Sequence, residues 1–403
     1  MRKLLMKAGV PLAAGAVAVA GFSGAAGAKA IPHVAALPTF TIAYEGPLSG
    51  GNAQLGLNMA YAVRLALNNA NQGKTFGKLK FRLIYAQKDD QGSSQFSPTA
   101  AAQLVSNKSV VAVVGPAFSG ATKAAEPTFH AAQLATVSPS ATAVALATFH
   151  WNNFFRVVAN DNVQGSTDAT YVVKVLKLKK VYAIDDASTY GQGLESVFAS
   201  KAHADGATVT HQSVPGTTQC GAGAGNPSQY SGVASTIVAA KPQIVFYGGY
   251  YCDFGLLLGA LHTRGYHGRI MSGDGSDDPH LIAGTHPPAA ANGAYLTCAC
   301  TQLGKTAADR TFAAGFTKLA HFAPGTYSAE AYDATNTEIS VIKALFARGA
   351  SHVTRRNIVN ALHAVTYVGL TKTVRFLPNG NIAGTVVYVN QVRAGKIVQL
   401  GVE

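Results

Sequence analysis

The chain has 403 residues, of which 48% are apolar or aromatic and 13% are charged, and its net charge is +13. This length allows two or three domains with sizeable buried cores. A disordered or low-complexity chain would be richer in charge and poorer in aliphatic residues, so that class is excluded.

The first residues are typical of a targeting segment. Arg2, Lys3 and Lys7 give a cationic start, and residues 8–28 are uncharged and end on small residues at Ala28. This pattern predicts a signal peptide over residues 1–28, cleaved after Ala28, and an exported protein in the periplasm or outside the cell. The alternative is an uncleaved membrane anchor, because the run is long enough to span a bilayer.

Short apolar strands then alternate with helical stretches. The strands are predicted at 40–44, 81–85, 110–114 and 134–137. The helices are predicted at 55–66, at 99–105 and past Thr122. This alternation predicts a parallel sheet with helices on both faces.

The same alternation restarts after Asp161. Helices are predicted at 165–176, 194–203, 230–240 and 254–264, and strands at 181–184, 208–210, 244–247 and 269–271. Residues 327–362 add two helical stretches, and the carboxyl end has predicted strands at 374–376 and 385–389. The pattern alone therefore predicts an α/β protein with two doubly wound units in tandem.

The four cysteines lie in the second half of the chain. Two disulfides are compatible with an oxidising compartment. Cys298 and Cys300 would point to one face of a strand, so we expect each to pair elsewhere rather than with the other. Zinc binding is the alternative, but no histidine stands at ligand spacing. Because no cysteine precedes Cys220, we expect no lipid-attachment cysteine after the signal peptide.

The basic charge does not indicate nucleic-acid binding. Lys and Arg are scattered, and their densest groups, at 177–180 and 355–356, have no interleaved stacking aromatics. A solvated basic face is therefore the favoured interpretation.

Motifs for catalysis are missing. The sequence has no dinucleotide-binding or phosphate-binding glycine loop, no Gly-x-Ser-x-Gly elbow and no His-Glu-x-x-His motif, and its 12 histidines are dispersed. Asp274, Asp277 and Asp278 lack the spacing and the closing Glu of a calcium loop. We therefore predict a protein that is not an enzyme and that has no cofactor and no metal.

A ligand is expected at the loops that follow the carboxyl ends of the strands. These loops are at 46–51, 115–122, 138–142, 187–193, 248–251 and 272–275. Hydroxyls next to helix starts suit a carboxylate, and an acid on a Gly-flanked loop suits an ammonium group. Each hydroxyl alone could instead cap a helix. Taken together, the loops predict a cleft for a small molecule.

The order of these motifs resembles one known family. They include 46–50, Asp89-Asp90, 113–115, 138–142, 190–193, 247–251 and 331–334. Over residues 38–400 the chain resembles the type I periplasmic solute-binding proteins of ABC transporters, in the branch that binds leucine, isoleucine and valine. The resemblance implies a monomer that delivers an amino acid to an ABC permease in the inner membrane, with hinge closure around the ligand.

The resemblance also revises the tandem arrangement. It implies two αβα lobes joined by three hinge crossings, near residues 160, 298 and 383. Lobe one would comprise 38–160 and 299–383, and lobe two would comprise 161–298 and 384–403.

Site residues follow from the same resemblance. Ser119 and Thr142 would hold the ligand carboxylate, with backbone atoms from Ser140 and Ala141. The ammonium group would contact the carbonyl of Ser140 and the carboxylate of Asp274.

Four further positions concern the ligand side chain and closure of the cleft. Tyr190 would close the cleft from lobe two, and Tyr250 corresponds to a ligand-site tyrosine that follows the Gly-Gly pair. Leu55 replaces an aromatic residue of the family, and Phe118 stands where a smaller residue is usual. The pocket for the ligand side chain is therefore predicted to differ from that of the branched-chain binders. The alternative function is a ligand-sensing module, or an importer subunit for an amide, urea or an aromatic acid.

Overall fold

The computed structural model describes residues 36–217, 227–301, 303–384 and 386–402. The predicted signal peptide and Cys220 lie outside these residues. No helix within the described ranges is both long enough and apolar enough to cross a membrane.

The first sheet is built from the amino-terminal part of the chain. Its strands are β1 (Thr39–Gly46), β2 (Arg82–Asp89), β3 (Val110–Val114), β4 (Ala135–Ser138) and β5 (Phe154–Arg156). All neighbours are parallel, in the order β2-β1-β3-β4-β5. The helices between them are α1 (Ala53–Asn71), α2 (Ser97–Ser106) and α3 (Ser119–Ala131).

Helices cover both faces of this sheet because successive strand residues point to opposite sides. Ile42 belongs to the hydrophobic cluster that contains Met59 of α1. Its neighbour Ala43 belongs to a separate cluster with Leu104 of α2 and Phe129 of α3. β3 is buried along its whole length, as expected for a strand covered on both faces.

The second sheet follows in the chain. Its first strands are β6 (Lys180–Asp185), β7 (Thr208–Ser213), β8 (Ile244–Gly248), β9 (Arg269–Ser272) and β10 (Tyr295–Cys298), all parallel where they pair. Its helices are α4 (Asp161–Thr170), which continues into a π-helical turn at Tyr171–Val175, α5 (Thr189–Ala204), α6 (Pro227–Ala240), α7 (Tyr251–Thr263) and α8 (His280–Gly284). Phe246 of β8 stacks on Phe198 of α5, whereas its neighbour Tyr247 stacks on Phe254 of α7, so this sheet is also covered on both faces.

After β10 the chain returns to the first sheet. It forms α9 (Ala307–Ala320), α10 (Ser328–Phe346), α11 (Arg355–Leu362) and the short antiparallel pair β11 (Tyr367–Val368) and β12 (Thr373–Val374). α9 and α10 pack against α1, and α10 and α11 pack against β3 and β4.

The last strands complete the second sheet. β13 (Tyr388–Arg393) pairs antiparallel with β10, and β14 (Lys396–Val402) pairs antiparallel with β13. The sheet order is β14-β13-β10-β9-β8-β6-β7. The predicted α/β class with parallel sheets and helices on both faces is confirmed. The lobe boundaries at residues 160, 298 and 383 stay predictions.

The expected cysteine pairing is wrong. Cys298 and Cys300 form a disulfide with each other, and their Cα atoms are 5.0 Å apart. Residues two apart in an extended strand are separated by about 6.6 Å, and their side chains run parallel to each other. β10 ends at Cys298 and the chain bends there, which brings the two side chains together. Cys252 is also disulfide-bonded.

Candidate ligand-binding site

The loops after β3 and β4 are bonded to each other. The Ser138 hydroxyl donates to the Pro116 carbonyl at 2.7 Å and accepts from the Ala141 N–H at 3.0 Å. The Ser140 hydroxyl donates to the Ala117 carbonyl at 2.7 Å. The hydroxyls of Ser138 and Ser140 are therefore used to hold the two loops together.

Two buried hydroxyls lie at this point. Ser119 is the first residue of α3, and its Oγ accepts from the Ala143 N–H at 3.1 Å. Accepting that bond leaves the hydroxyl proton of Ser119 available for an anion, and the backbone N–H groups of the first turn of α3 also favour an anion. Thr142 is fully buried, and its hydroxyl interacts with the Asp161 carboxyl, which lowers the pKa of Asp161.

Asp274 is held by two tyrosines. The Tyr190 hydroxyl donates to Oδ1 of Asp274 at 2.8 Å and accepts from the Gly275 N–H at 3.0 Å. The Tyr327 hydroxyl donates to Oδ2. Asp274 is 2% exposed, and it opens the short turn that follows β9. The two hydroxyls fix the carboxylate but bring no positive charge to it.

Three buried carboxyls face each other around this point. Burial raises the pKa of Asp274, and the hydrogen bonds from Tyr327 and Tyr190 oppose that rise. Burial and the charge of Asp274 raise the pKa of Asp161 to about 7. The pKa of Asp168 is raised well above its usual range by burial, and the charges of Asp274 and Asp161 raise it further. The group is therefore short of positive charge.

The positively charged side chain that acts on this group, Arg156, is itself hydrogen-bonded to backbone carbonyls. The Arg156 guanidinium donates to the carbonyls of Ala141 and Ala143, at 3.1 and 2.8 Å, and to Asn381 Oδ1 at 2.7 Å. Its charge lowers the pKa of Asp161, although burial lowers the pKa of Arg156 itself to about 10. No side-chain cation forms an ion pair with Asp161, Asp168 or Asp274 anywhere in the described ranges.

Three aromatic rings, those of Phe118, Tyr190 and Tyr250, pack against one another beside Asp274. Phe118, before α3, stacks on Tyr250, before α7, with ring centroids 4.3 Å apart and planes 20° apart. Tyr250 also contacts the Tyr190 ring at 5.2 Å. Leu55 is 1% exposed on α1 and belongs to the hydrophobic cluster that contains Phe118. A further hydrogen bond joins loops of the two sheets, since the Tyr251 hydroxyl donates to the Gly51 carbonyl at 2.9 Å.

The structure brings most of the predicted site residues to one place. Tyr190 contacts both Tyr250 and Asp274, and Phe118 stacks on Tyr250 from the loop that carries Ser119. This loop is bonded to the one that carries Ser140, Ala141 and Thr142. Leu55 lies deeper, in the core. The roles of these residues toward a ligand stay predictions.

Sequence reasoning missed three contributors. Arg156 is the last residue of β5, and Asp161 is the first residue of α4. The Asn160 side chain caps α4 by accepting from the Asn162 N–H, a helix start that the sequence could have revealed. Tyr327 precedes α10 with φ +66°, a left-handed conformation that no local residue pattern indicated.

Two α/β sheets whose strand-exit loops meet at one buried polar site define a binding protein of the type I periplasmic fold. A profile of the family described as "Periplasmic binding protein" matches residues 39–396, so the chain belongs to this family. It is similar to the Leu/Ile/Val-binding protein homolog 3 of Brucella melitensis, with 27% identity over 374 residues that cover 91% of this chain and 95% of that protein.

Solved structures share the fold. The branched-chain amino acid transporter substrate binding protein from Streptococcus pneumoniae, in complex with isoleucine, has a TM-score of 0.76 at 22% identity and covers 91% of this chain and 99% of its own. An ABC transporter solute binding protein from R. palustris, in complex with benzoate, has a TM-score of 0.77 at 17% identity and covers 91% of this chain and 96% of its own. At these identities the likeness shows the fold alone.

Proposed function

We propose that this chain is the exported solute-binding subunit of an ABC importer. It captures an amino acid, branched-chain or related, between the two predicted lobes, which close around the ligand. The curated relative named above is a Leu/Ile/Val-binding protein, which supports an amino acid as the ligand. The protein acts without catalysis, as a monomer in the periplasm, and hands its ligand to a permease in the inner membrane.

The charge distribution of the site carries this proposal. On one side, the hydroxyl of Ser119 can donate to a carboxylate, and we propose that Thr142 assists it. On the other side, Asp274 is buried without an ion-pair partner among the described residues. A buried carboxylate requires a compensating charge, and a ligand ammonium would supply it. A zwitterion therefore complements both sides of the site.

An aromatic acid is the second candidate. The stacked rings of Phe118 and Tyr250 offer apolar faces beside the hydroxyls, and the benzoate-bound structure has the same fold. Such a ligand carries a carboxylate but no ammonium group, so it would leave Asp274 without compensation.

The test is a calorimetric screen of the mature protein against the common L-amino acids, acetamide, urea and benzoate. We expect saturable binding of at least one aliphatic amino acid and weaker or no binding of the others. Binding of benzoate alone would replace the amino-acid proposal by the second candidate. A protein that binds an amide or urea but no amino acid would contradict both.

A further inference from the structure

Three ionisable side chains meet on the second sheet, away from the site above. Asp185 ends β6, His211 lies on β7, and Glu195 lies on α5. His211 Nε2 is 2.8 Å from Asp185 Oδ2 and 3.5 Å from Glu195 Oε2. One possible ligand atom from each residue lies within 4.8 Å of the other two.

The two carboxyls of this cluster are buried, while the imidazole reaches solvent. Asp185 is 1% exposed and Glu195 is 5% exposed, whereas half of the His211 side chain is accessible. Oε1 of Glu195 is buried and has no hydrogen-bond partner among the described residues. Burial raises the pKa of Glu195, and the charge of Asp185 adds to that rise although His211 opposes it. Two buried acids thus share at most one positive charge.

Asp185 is already oriented for a ligand at Oδ2. Its other oxygen, Oδ1, accepts from the Ala187 N–H and from the Ser213 hydroxyl, both at 2.7 Å. Hydrogen bonds of this kind fix the orientation of carboxylates that bind metals. Oδ2 is left to face His211 and Glu195.

We propose that Asp185, Glu195 and His211 bind a zinc ion. Zinc bonds of about 2.0–2.2 Å in a tetrahedral arrangement hold ligand atoms roughly 3.3–3.5 Å apart. The separation between His211 and Glu195, 3.5 Å, already matches this value, and that between His211 and Asp185, 2.8 Å, must widen by about half an ångström. One imidazole with two carboxylates suits zinc better than magnesium or calcium, which take oxygen ligands. The double charge of the ion balances the two carboxylates, and water from the exposed side of His211 completes the coordination.

The ion ties α5 to the paired strands β6 and β7, and the first turn of α5 carries Tyr190. Zinc binding is independent of the proposed transport function. The side chains of Asp185, Glu195 and His211 bond one another, Ala187 and Ser213 rather than the aromatic rings or hydroxyls of the cleft.

The test is calorimetric titration of ZnCl2 into chelator-treated protein that carries no histidine tag. We expect one saturable site tighter than about 100 µM at about pH 7.5. His211→Ala and Glu195→Gln should each weaken binding at least tenfold. The matched control is His203→Ala. His203 is exposed on α5, the helix that carries Glu195, but lies outside the cluster, so this substitution should leave zinc binding unchanged.

Circular dichroism of the zinc-free variants separates loss of binding from loss of the fold. Anomalous diffraction at the zinc edge should place one ion between the three side chains. Zinc binding that His211→Ala leaves unchanged would assign the ion to other histidines and overturn the proposal. Absence of any saturable site in the parent protein would overturn it equally.

Discussion

Phe118 and Tyr250 stack face to face, and they belong to loops that extend from different sheets. Phe118 precedes α3 beside the first sheet, and Tyr250 precedes α7 beside the second. The ring pair therefore joins loops of the two sheets, and Tyr250 also contacts Tyr190, whose hydroxyl donates to Asp274. In hinge-closing proteins, contacts of this kind determine the balance between open and closed forms.

Loss of this stack should weaken ligand binding. A stacked aromatic pair contributes about 0.5–1.5 kcal/mol beyond its buried area, so Phe118→Leu and Tyr250→Leu should show a coupling energy of that size in a double-mutant cycle of binding. Phe149→Leu is the matched control, because Phe149 stacks on Trp151 outside the cleft. Additive effects of the two cleft substitutions would contradict a direct energetic link.

Ser119→Ala should weaken binding of the amino acid by about 1.5–3 kcal/mol, the usual contribution of a hydrogen bond to a charged group. Titration calorimetry measures the change. Ser235→Ala serves as control, because its hydroxyl bonds only the Ser231 carbonyl within α6. An unchanged affinity would contradict a ligand contact and would limit the role of Ser119 to accepting the hydrogen bond from the Ala143 N–H.

Asp274→Asn should weaken binding of an amino acid by roughly 2–5 kcal/mol, because the ligand ammonium would lose its buried counter-charge. The fold should persist, since the amide oxygen can still accept from Tyr190 or Tyr327. Asp205→Asn is the control, because Asp205 forms a partly exposed ion pair with Lys201 in α5 rather than a contact with the cleft. The same change should leave the affinity for benzoate unaltered or improved. A mutant that keeps full affinity for the amino acid would end the proposed role of Asp274.

The protein should lose stability as pH rises from about 4.5 to about 7. Burial raises the pKa of Glu126 to about 7, against hydrogen bonds from Thr136 and Asn153 that lower it. In this interval the folded chain binds a proton that the unfolded chain has released, so ionisation at higher pH favours unfolding by up to about 3 kcal/mol per such group.

Urea unfolding at about pH 5 and pH 8 measures this loss. Burial likewise raises the pKa of Asp90 and Asp277 to about 7, so the effects should accumulate. Glu126→Gln should make the pH dependence shallower. An identical slope in this variant would show that Glu126 stays ionised in the folded protein.

Replacement of Cys298 and Cys300 together by serine should destabilise the fold only modestly. The bond closes a very short loop, for which the chain-entropy argument gives on the order of 1.5 kcal/mol. Denaturant unfolding of the double variant checks the magnitude. Mass spectrometry of the unreduced digest checks the pairing, and a peptide that carries either residue with a free or differently paired thiol would contradict it.

The sequence was informative wherever one local pattern decided the structure. The buried run of β3 was predicted residue for residue, because five consecutive apolar residues before Gly115 allow little else. The helix α9 was not predicted, although Thr306 and Asp309 form a reciprocal cap that is visible as a Thr-x-x-Asp pattern. The local sequence therefore contained enough information to predict the start of α9.

Other features depended on tertiary structure and could not be predicted locally. The Cys298–Cys300 bond follows from the bend at the end of β10, which alternation along a strand does not reveal. Asp161 and Asp274 are separated by more than a hundred positions in the chain, and only the meeting of two sheets brings their charges together. The family resemblance supplied Asp274 from its loop position, whereas the hydroxyl of Tyr327 reaches Asp274 from the segment before α10.

The placement of β13 and β14 has a consequence for truncation. β13 pairs with β10, although some ninety positions of chain separate the paired residues. Without residues 388–402, that side of β10 would be a bare edge with unsatisfied backbone groups, and such edges recruit strands from other chains. A chain that stops before Tyr388 should therefore be an aggregation-prone product rather than a slightly shortened protein.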